Sequence, residues 1–198
     1  MKERPILFSA PMVRAILDGR KTQTRRVVKS DCLEIAERDD GTHWPWREDC
    51  DNGGDIWYPC PYGYAGDLLW VRETWHPETS DPDARAAYKA DCDYDTSDCS
   101  WRPSIHMPRW ASRILLRITD IRVERLQAIR DADALAEGII EQTSQIDAGW
   151  QDYWPSEDGE PYASAREAYR ALWESINGAG SWDANPWVWV VEFERVQP

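Results

Sequence analysis

One short segment near the N-terminus concentrates side chains that can do chemistry. From Gly19 to Arg26 the chain reads Gly-Arg-Lys-Thr-Gln-Thr-Arg-Arg. Gly19 stands where a short apolar helix would end, because glycine readily adopts the left-handed conformation that closes a last turn. The loop that follows can grip an anion, or it can hold Lys21 beside the Thr24 hydroxyl for catalysis.

The charge distribution makes this segment stand out. The 198 residues carry a formal net charge of −13, and the sequence pI is about 4.6. Between Asp18 and Lys29, however, five basic residues face one acid. The overall charge argues against a protein that coats DNA or RNA along its whole surface. The local basic segment favours a focused anionic or nucleoside-like ligand.

The predicted elements indicate a single domain of the mixed α+β class in which strands predominate. Apolar runs, caps and turn residues predict about six strands and three helices. Strands are predicted at 4–8, 68–73, 86–90, 113–126 and 187–193, and another is predicted to begin at 27–28. The helices are predicted at 11–17, 132–137 and 163–176. We predict a single domain over 1–198, an antiparallel β-barrel decorated by about three helices. Polar loop insertions are expected at about 31–64, 76–100 and 141–161, the first with a strand at 56–58.

Two motifs resemble the signature of ASCH domains, which are PUA-like β-barrels linked to RNA and nucleoside chemistry. The first is Gly19, Lys21 and Thr24 followed by arginine, and the second runs from Gly66 to Glu73 as Gly-Asp-Leu-Leu-Trp-Val-Arg-Glu. Longer sequence segments at 4–9 and 104–113 resemble those of the phage and prophage branch of that family. The resemblance covers 1–29, 58–75, about 101–140 and the terminal strand. It implies a PUA-like fold more specifically than any one activity.

Some small ASCH proteins are amidohydrolases that remove the acetyl group of N4-acetylcytidine with a lysine, a threonine and a glutamate. The matching positions are Lys21, Thr24 and Glu73. A threonine hydroxyl becomes nucleophilic when a base takes its proton, and lysine is a base when burial or nearby cations lower its pKa. Glu73 could orient the lysine or carry a proton to the leaving amine. The competing interpretation is that the lysine and threonine only bind phosphate, while the glutamate forms an ion pair with Arg25 or Arg72.

Five further residues are candidates for substrate binding. Arg25 and Arg26 follow the threonine directly. Trp75 lies two residues past the candidate glutamate and could stack on a base or cap the barrel. His106 and Arg109 lie in the family-like segment, where the histidine could line the pocket mouth or be structural. Three functions remain open: a deacylase acting on a modified nucleoside or RNA, a non-catalytic RNA- or nucleotide-binding module, and a ribonuclease.

Cofactors, disulfides and membranes are not expected. The five cysteines are an odd number and widely scattered, which favours reduced thiols. Cys32, His43, Cys50 and Cys60 have spacings that match no standard zinc pattern, so we predict no metal site. No apolar run is long enough for a membrane span and no signal peptide is recognisable, so we expect a cytoplasmic protein.

Overall fold

The structure is a computed structural model that describes residues 1–29, 34–77, 86–92, 100–143, 151–155 and 160–196. Its α-helices are α1 (Ala10–Leu17), α2 (Asp131–Ala136) and α3 (Ala165–Asn177). Its strands are β1 (Glu3–Leu7), β2 (Gln23–Val27), β3 (Glu34–Glu37), β4 (His43–Glu48), β5 (Asp55–Trp57), β6 (Leu68–Arg72), β7 (Trp75–His76), β8 (Ala87–Tyr88), β9 (Leu115–Arg125), β10 (Ile140–Thr143), β11 (Gln151–Trp154) and β12 (Trp187–Arg195). The described residues therefore form a mixed α+β structure in which strands predominate, as predicted.

The largest sheet contains five strands in the order β1-β6-β9-β12-β2. The pairs from β6 through β9 and β12 to β2 are antiparallel. Strand β1 differs because it runs parallel to β6, with Ile6 opposite Val71. We predicted an antiparallel barrel. Within the described residues the sheet instead stays open between β1 and β2, and it is mixed because of the parallel pair.

Strand β12 is buried on both faces, which explains its apolar sequence. Side chains alternate between the two faces of a strand. Trp189 and Phe193 enter a core that contains residues of α1, β1 and β6. Val188 and Val190 enter the opposite core, which contains residues of α2 and α3. The sheet therefore lies between α1 on one side and the other two helices on the other.

The two edge strands of this sheet approach each other without forming a backbone pair among the described residues. Residues of β1 and of β2 line one cavity. The Arg26 guanidinium crosses the gap and donates a hydrogen bond to the Leu7 carbonyl at 2.6 Å. The opening in the sheet is thus the place where a ligand can enter between two strands.

Strands β3, β4 and β5 form a separate antiparallel sheet within the predicted insertion at 31–64. Strand β5 confirms the strand predicted at 56–58. Trp44 of β4 is buried and meets Trp189 edge-on, with ring centroids 4.9 Å apart. This contact anchors the small sheet to the main core, beside the cavity.

The helix predictions agree with α1, α2 and α3 to within two residues at every end. The basic segment was predicted wrongly as a loop extending to Arg26, because β2 begins at Gln23. There Thr24 lies opposite Val191 and Arg25 opposite Val190 of β12. The apolar strand β12 needs backbone partners on both sides, and this need overrides the polar composition of the segment.

The insertions predicted at 76–100 and 141–161 lie partly outside the described residues. Cys32 and Cys99 also lie outside them. Cys60 is described and buried, and burial raises the pKa of its thiol to about 11. Among the described residues, no helix is long and apolar enough to cross a membrane.

Candidate active site

Lys21 is directed into the protein by the way helix α1 ends. Gly19, with φ of +77°, follows the last turn, and its N–H donates to the Ile16 carbonyl at 3.1 Å. The backbone N–H of Lys21 then donates to the Ala15 carbonyl at 2.9 Å. This turn leaves only 2% of the lysine side chain exposed. A lysine buried to this extent needs a partner for its ammonium group.

Glu137, at the end of helix α2, is that partner. The Lys21 Nζ donates to Glu137 Oε2 at 2.8 Å and also to the Glu137 backbone carbonyl at 2.8 Å. The glutamate side chain is 4% exposed. Two hydrogen bonds from one ammonium to one residue fix the lysine relative to the end of α2.

Arg25 holds the other oxygen of the same carboxylate. Its Nη1 donates to Glu137 Oε1 at 3.2 Å, and no part of the Arg25 side chain is exposed. Glu124 and Asp133 lie 3.4 and 3.7 Å from Arg25 Nη2. Each oxygen of the Glu137 carboxylate is therefore held by a different basic side chain, Lys21 or Arg25.

The pKa of Lys21 is lowered below the ordinary lysine value. Burial is the largest cause, because it disfavours the charged amine. Glu137 opposes this effect through its charge and its hydrogen bond, while Arg26 and Arg25 add to the lowering. The net direction is toward a neutral amine, which is the form that accepts a proton.

Thr24 and Lys21 line the same cavity, which has a volume of about 820 Å³. Thr24 is 3% exposed to bulk solvent. The volume lies within the usual range for small-molecule sites. The polar residues that line it include Lys21, Thr24, Arg25, Arg26 and Glu137.

Apolar and aromatic side chains form the rest of the cavity wall. Phe8, which directly follows β1, lies near two basic groups: Lys21 Nζ is 5.7 Å and the Arg26 guanidinium 5.3 Å from its ring centroid. Helix α3 supplies Tyr169 and Trp173. Burial raises the pKa of Tyr169, so its hydroxyl stays protonated. A mostly apolar wall with a few convergent polar groups is typical of a pocket for a flat organic ligand.

Glu73, the third predicted catalytic residue, is not among the residues that line this cavity. Its carboxylate accepts hydrogen bonds from Arg113, at 3.0 and 3.1 Å. Arg113 also donates to Asp91, at 2.6 and 2.9 Å. Burial raises the pKa of Glu73, although Arg113 acts in the opposite direction. Arg113, rather than Arg25 or Arg72, is thus the ion-pair partner of this glutamate.

The predicted substrate-binding residues divide into two groups. Arg25 and Arg26 line the cavity with the lysine and threonine. Trp75 is buried in a separate small cluster with Tyr88 and Met107. His106 and Arg109 are exposed and are not among the residues lining the cavity.

Glu137 was missed in the sequence because its role depends on a contact between residues 116 positions apart. A local signal was present: the acid ends a predicted helix and precedes Gly138, which the sequence marks as the closing glycine. A buried lysine demands an anion, and an acid at the end of a short apolar helix is a reasonable place to look for one.

No protein-family model, curated protein or solved structure matches this chain. Among the described residues, no group of three or more His, Cys, Asp or Glu side chains is arranged to hold a metal ion.

Gly138 is required for the close approach of α2 to Lys21. It adopts φ of +100°, and a Cβ placed there would lie 3.1 Å from the Ala15 Cβ and 3.4 Å from the Lys21 Cβ. We expect Gly138→Ala to lower the free energy of unfolding by about 1–3 kcal/mol through strain and crowding. Urea denaturation measures this change.

Gly178 offers a matched control, because it has φ of +94° but no atom within 4 Å of the corresponding Cβ position. Gly178→Ala should lower the free energy of unfolding only through backbone strain, and therefore by less than Gly138→Ala. Equal losses in both variants would contradict the claim that contact with Ala15 and Lys21 matters at Gly138.

Proposed function

We propose that this chain is an ASCH-type, PUA-like hydrolase that removes an acyl group from the exocyclic amine of an N4-acylated cytidine-type base. The observation that carries the proposal is the buried Lys21–Glu137 pair at a cavity also lined by Thr24. The motif resemblance supports the family and the substrate class. The geometry favours Glu137 over Glu73 as the carboxylate of the catalytic trio.

Thr24 is the nucleophile in this scheme. The neutral Lys21 amine takes the proton of the Thr24 hydroxyl as its oxygen attacks the acyl carbonyl carbon. Glu137 orients the lysine and stabilises the ammonium that forms, as the acid does in other nucleophile–base–acid trios. Burial lowers the Lys21 pKa, which enlarges the fraction of this amine that is neutral and able to act as a base.

The tetrahedral intermediate then collapses. The carbon–nitrogen bond breaks, the ammonium of Lys21 returns its proton to the leaving exocyclic amine, and the acyl group remains on Thr24 as an ester. Water, deprotonated by the same lysine, attacks the carbonyl carbon of this ester. The bond from that carbon to the Thr24 oxygen breaks, the Lys21 ammonium returns its proton to this oxygen, and the carboxylic acid leaves. Each step conserves protons without a cofactor. Arg26, at the cavity and 5.3 Å from the Phe8 ring, is suited to bind an oxygen of the ligand.

The alternative of a non-catalytic module that holds phosphate with Lys21, Arg25 and Arg26 receives less support. Lys21 and Arg25 already form ion pairs with Glu137. The carboxylate offsets their positive charge, which weakens their attraction for a phosphate. The ribonuclease alternative is also weaker, because no histidine lines the cavity in the part of the chain that is described.

Thr24→Ala is the sharpest test of the nucleophile, because it leaves the Lys21–Glu137 pair in place. We expect this variant to lower kcat for N4-acetylcytidine by about 1,000-fold or more, and Thr24→Ser to retain part of the activity. Release of cytidine followed by liquid chromatography measures this. Thr22→Ala, at an exposed residue on the same segment, is the control and should behave as wild type.

The two glutamates can be compared directly. Glu137→Gln should lower kcat by about 100-fold or more, since the lysine loses its anionic partner. Glu73→Gln should keep near-wild-type kcat while losing about 1–3 kcal/mol of stability through its contact with Arg113. The reverse pattern would contradict the assignment of Glu137, and full activity of Thr24→Ala would contradict the proposed chemistry.

The pH dependence tests the role of Lys21. The reacting form is the neutral amine, so kcat/KM should rise with pH along a limb centred below the ordinary lysine pKa. Arg26 contributes to the lowering. Arg26→Gln removes this cation, so the Lys21 ammonium is destabilised less. The Lys21 pKa should therefore rise, and the rising limb of kcat/KM should shift to higher pH. A limb that does not move, or that moves to lower pH, would exclude the lysine as the titrating base.

A further inference from the structure

A second surface adjoins the cavity along strand β1. Residues directly opposite each other in a sheet point to the same face. Pro5 lies opposite Trp70 and Leu7 opposite Arg72, so these four side chains share one face. Pro5 and Leu7 also line the cavity. A ligand that extends out of the cavity over β1 would therefore meet Trp70 and Arg72.

This surface is formed by aromatic rings and arginines in contact. The guanidinium groups of Arg72 and Arg109 lie 5.4 and 6.0 Å from the ring centroid of Trp70. Arg72 also donates to the Ile105 carbonyl, which ties the segment 102–110 to β6. We call this patch the Arg-Trp surface, and its members are Trp70, Arg72, Arg102, Arg109 and Trp110.

Trp110 and Arg102 extend the patch over buried Trp75. The Trp110 ring meets the Trp75 ring edge-on with centroids 5.6 Å apart, and the Arg102 guanidinium lies 5.5 Å from the Trp75 centroid. Trp110 is 55% exposed, and so is Ile105 beside it. A large aromatic ring that contacts a buried neighbour while over half exposed offers surface for stacking on a base.

The patch is positively charged in an acidic protein. Among the described residues, Arg72 and Arg102 have no carboxylate within salt-bridge distance, while Arg109 pairs with Glu3 at 2.9 Å. Three arginines and one glutamate give a local charge of +2, against −13 for the chain. This charge complements a polyanion rather than a neutral partner.

We propose that the Arg-Trp surface binds single-stranded RNA, and that the modified base is presented to the cavity from within such a strand. This inference rests on the proposed function and names its substrate as RNA. Arg102 and Arg109 contact phosphates, and Trp110 stacks on a base that flanks the modified one. The shared strand β1 gives the path between the two sites.

Fluorescence anisotropy with a labelled, unmodified twelve-nucleotide single-stranded RNA tests this on the full chain without requiring catalysis. With two phosphate contacts, a four-fold rise in salt should weaken binding by about seven-fold. Arg102→Gln should reduce the slope of log affinity against log salt by about 0.7. Trp110→Ala should weaken binding by about five-fold or more.

Arg117→Gln is the matched control. Arg117 and Arg109 are both exposed arginines with a single carboxylate partner, and their side chains are 49% and 45% exposed. Only Arg109→Gln should weaken RNA binding. Equal losses in the two variants, no binding by wild type, or equally tight binding of an oligoglutamate peptide would overturn the proposal. The last outcome would point to an acidic protein as the partner.

Hydrolysis of the free nucleoside separates the two proposals. Arg102→Gln and Trp110→Ala should hydrolyse N4-acetylcytidine as wild type does, but should lose kcat/KM on an RNA that contains the same base. Absence of any nucleoside turnover would count against the proposed function while leaving the RNA-binding result intact. Unchanged kcat/KM of both variants on RNA would overturn the present inference alone.

Discussion

The buried ion pair between Lys21 and Glu137 is the interaction on which the arrangement of the site depends. It joins the end of α1 to the end of α2 across 116 residues of chain. Removing one partner of such a pair leaves a buried charge, which generally costs about 3–5 kcal/mol. Arg25 extends the pair to β2, so two helix ends and one strand are fixed by a single carboxylate.

The sheet supplies the second constraint. Because β12 is buried on both faces, it fixes β9 on one side and β2 on the other. Strand β2 is thereby carried to the edge of the sheet, opposite β1, and the gap between these strands is the cavity. Thr24 reaches the cavity wall because its strand is held by β12, and Lys21 because its loop is held by α1. Thr24 and Lys21 are thus placed at one cavity by two independent supports.

Local sequence patterns were enough to predict the three helices and the long strands β9 and β12, but not which elements pair with each other. Helix α3 has apolar residues at helical spacing and β12 is a continuous apolar run. Both patterns involve residues close together in the chain, so the sequence alone predicts both elements. The pairing of β1 with β6 is parallel, and its register depends on contacts between residues 65 positions apart, such as Ile6 and Val71. Thr24 was predicted to lie in a loop because its neighbours are charged. It lies in a strand instead, because the backbone of β12 pairs with this segment.

The candidate site shows the same division. Lys21, Thr24, Arg25 and Arg26 lie within six residues, so their common location followed from the sequence. Glu137 and Tyr169 reach the cavity from the end of α2 and from α3, so their place in the site depends on how these helices pack. Glu73 has the residue type for catalysis, yet its carboxylate is bound by Arg113. Residue type and motif position identified the basic half of the site, while the acidic half required the tertiary structure.

The most direct measurement is to trap the acyl-enzyme. The protein would be mixed with N4-acetylcytidine, quenched in acid within the first turnover, digested and mapped by mass spectrometry. The account predicts one added acetyl group on the peptide that contains Thr24, present in wild type and absent in Thr24→Ala. An acetyl group found on Lys21 instead, or rapid cytidine release in a single turnover with no acylated Thr24 peptide, would contradict it.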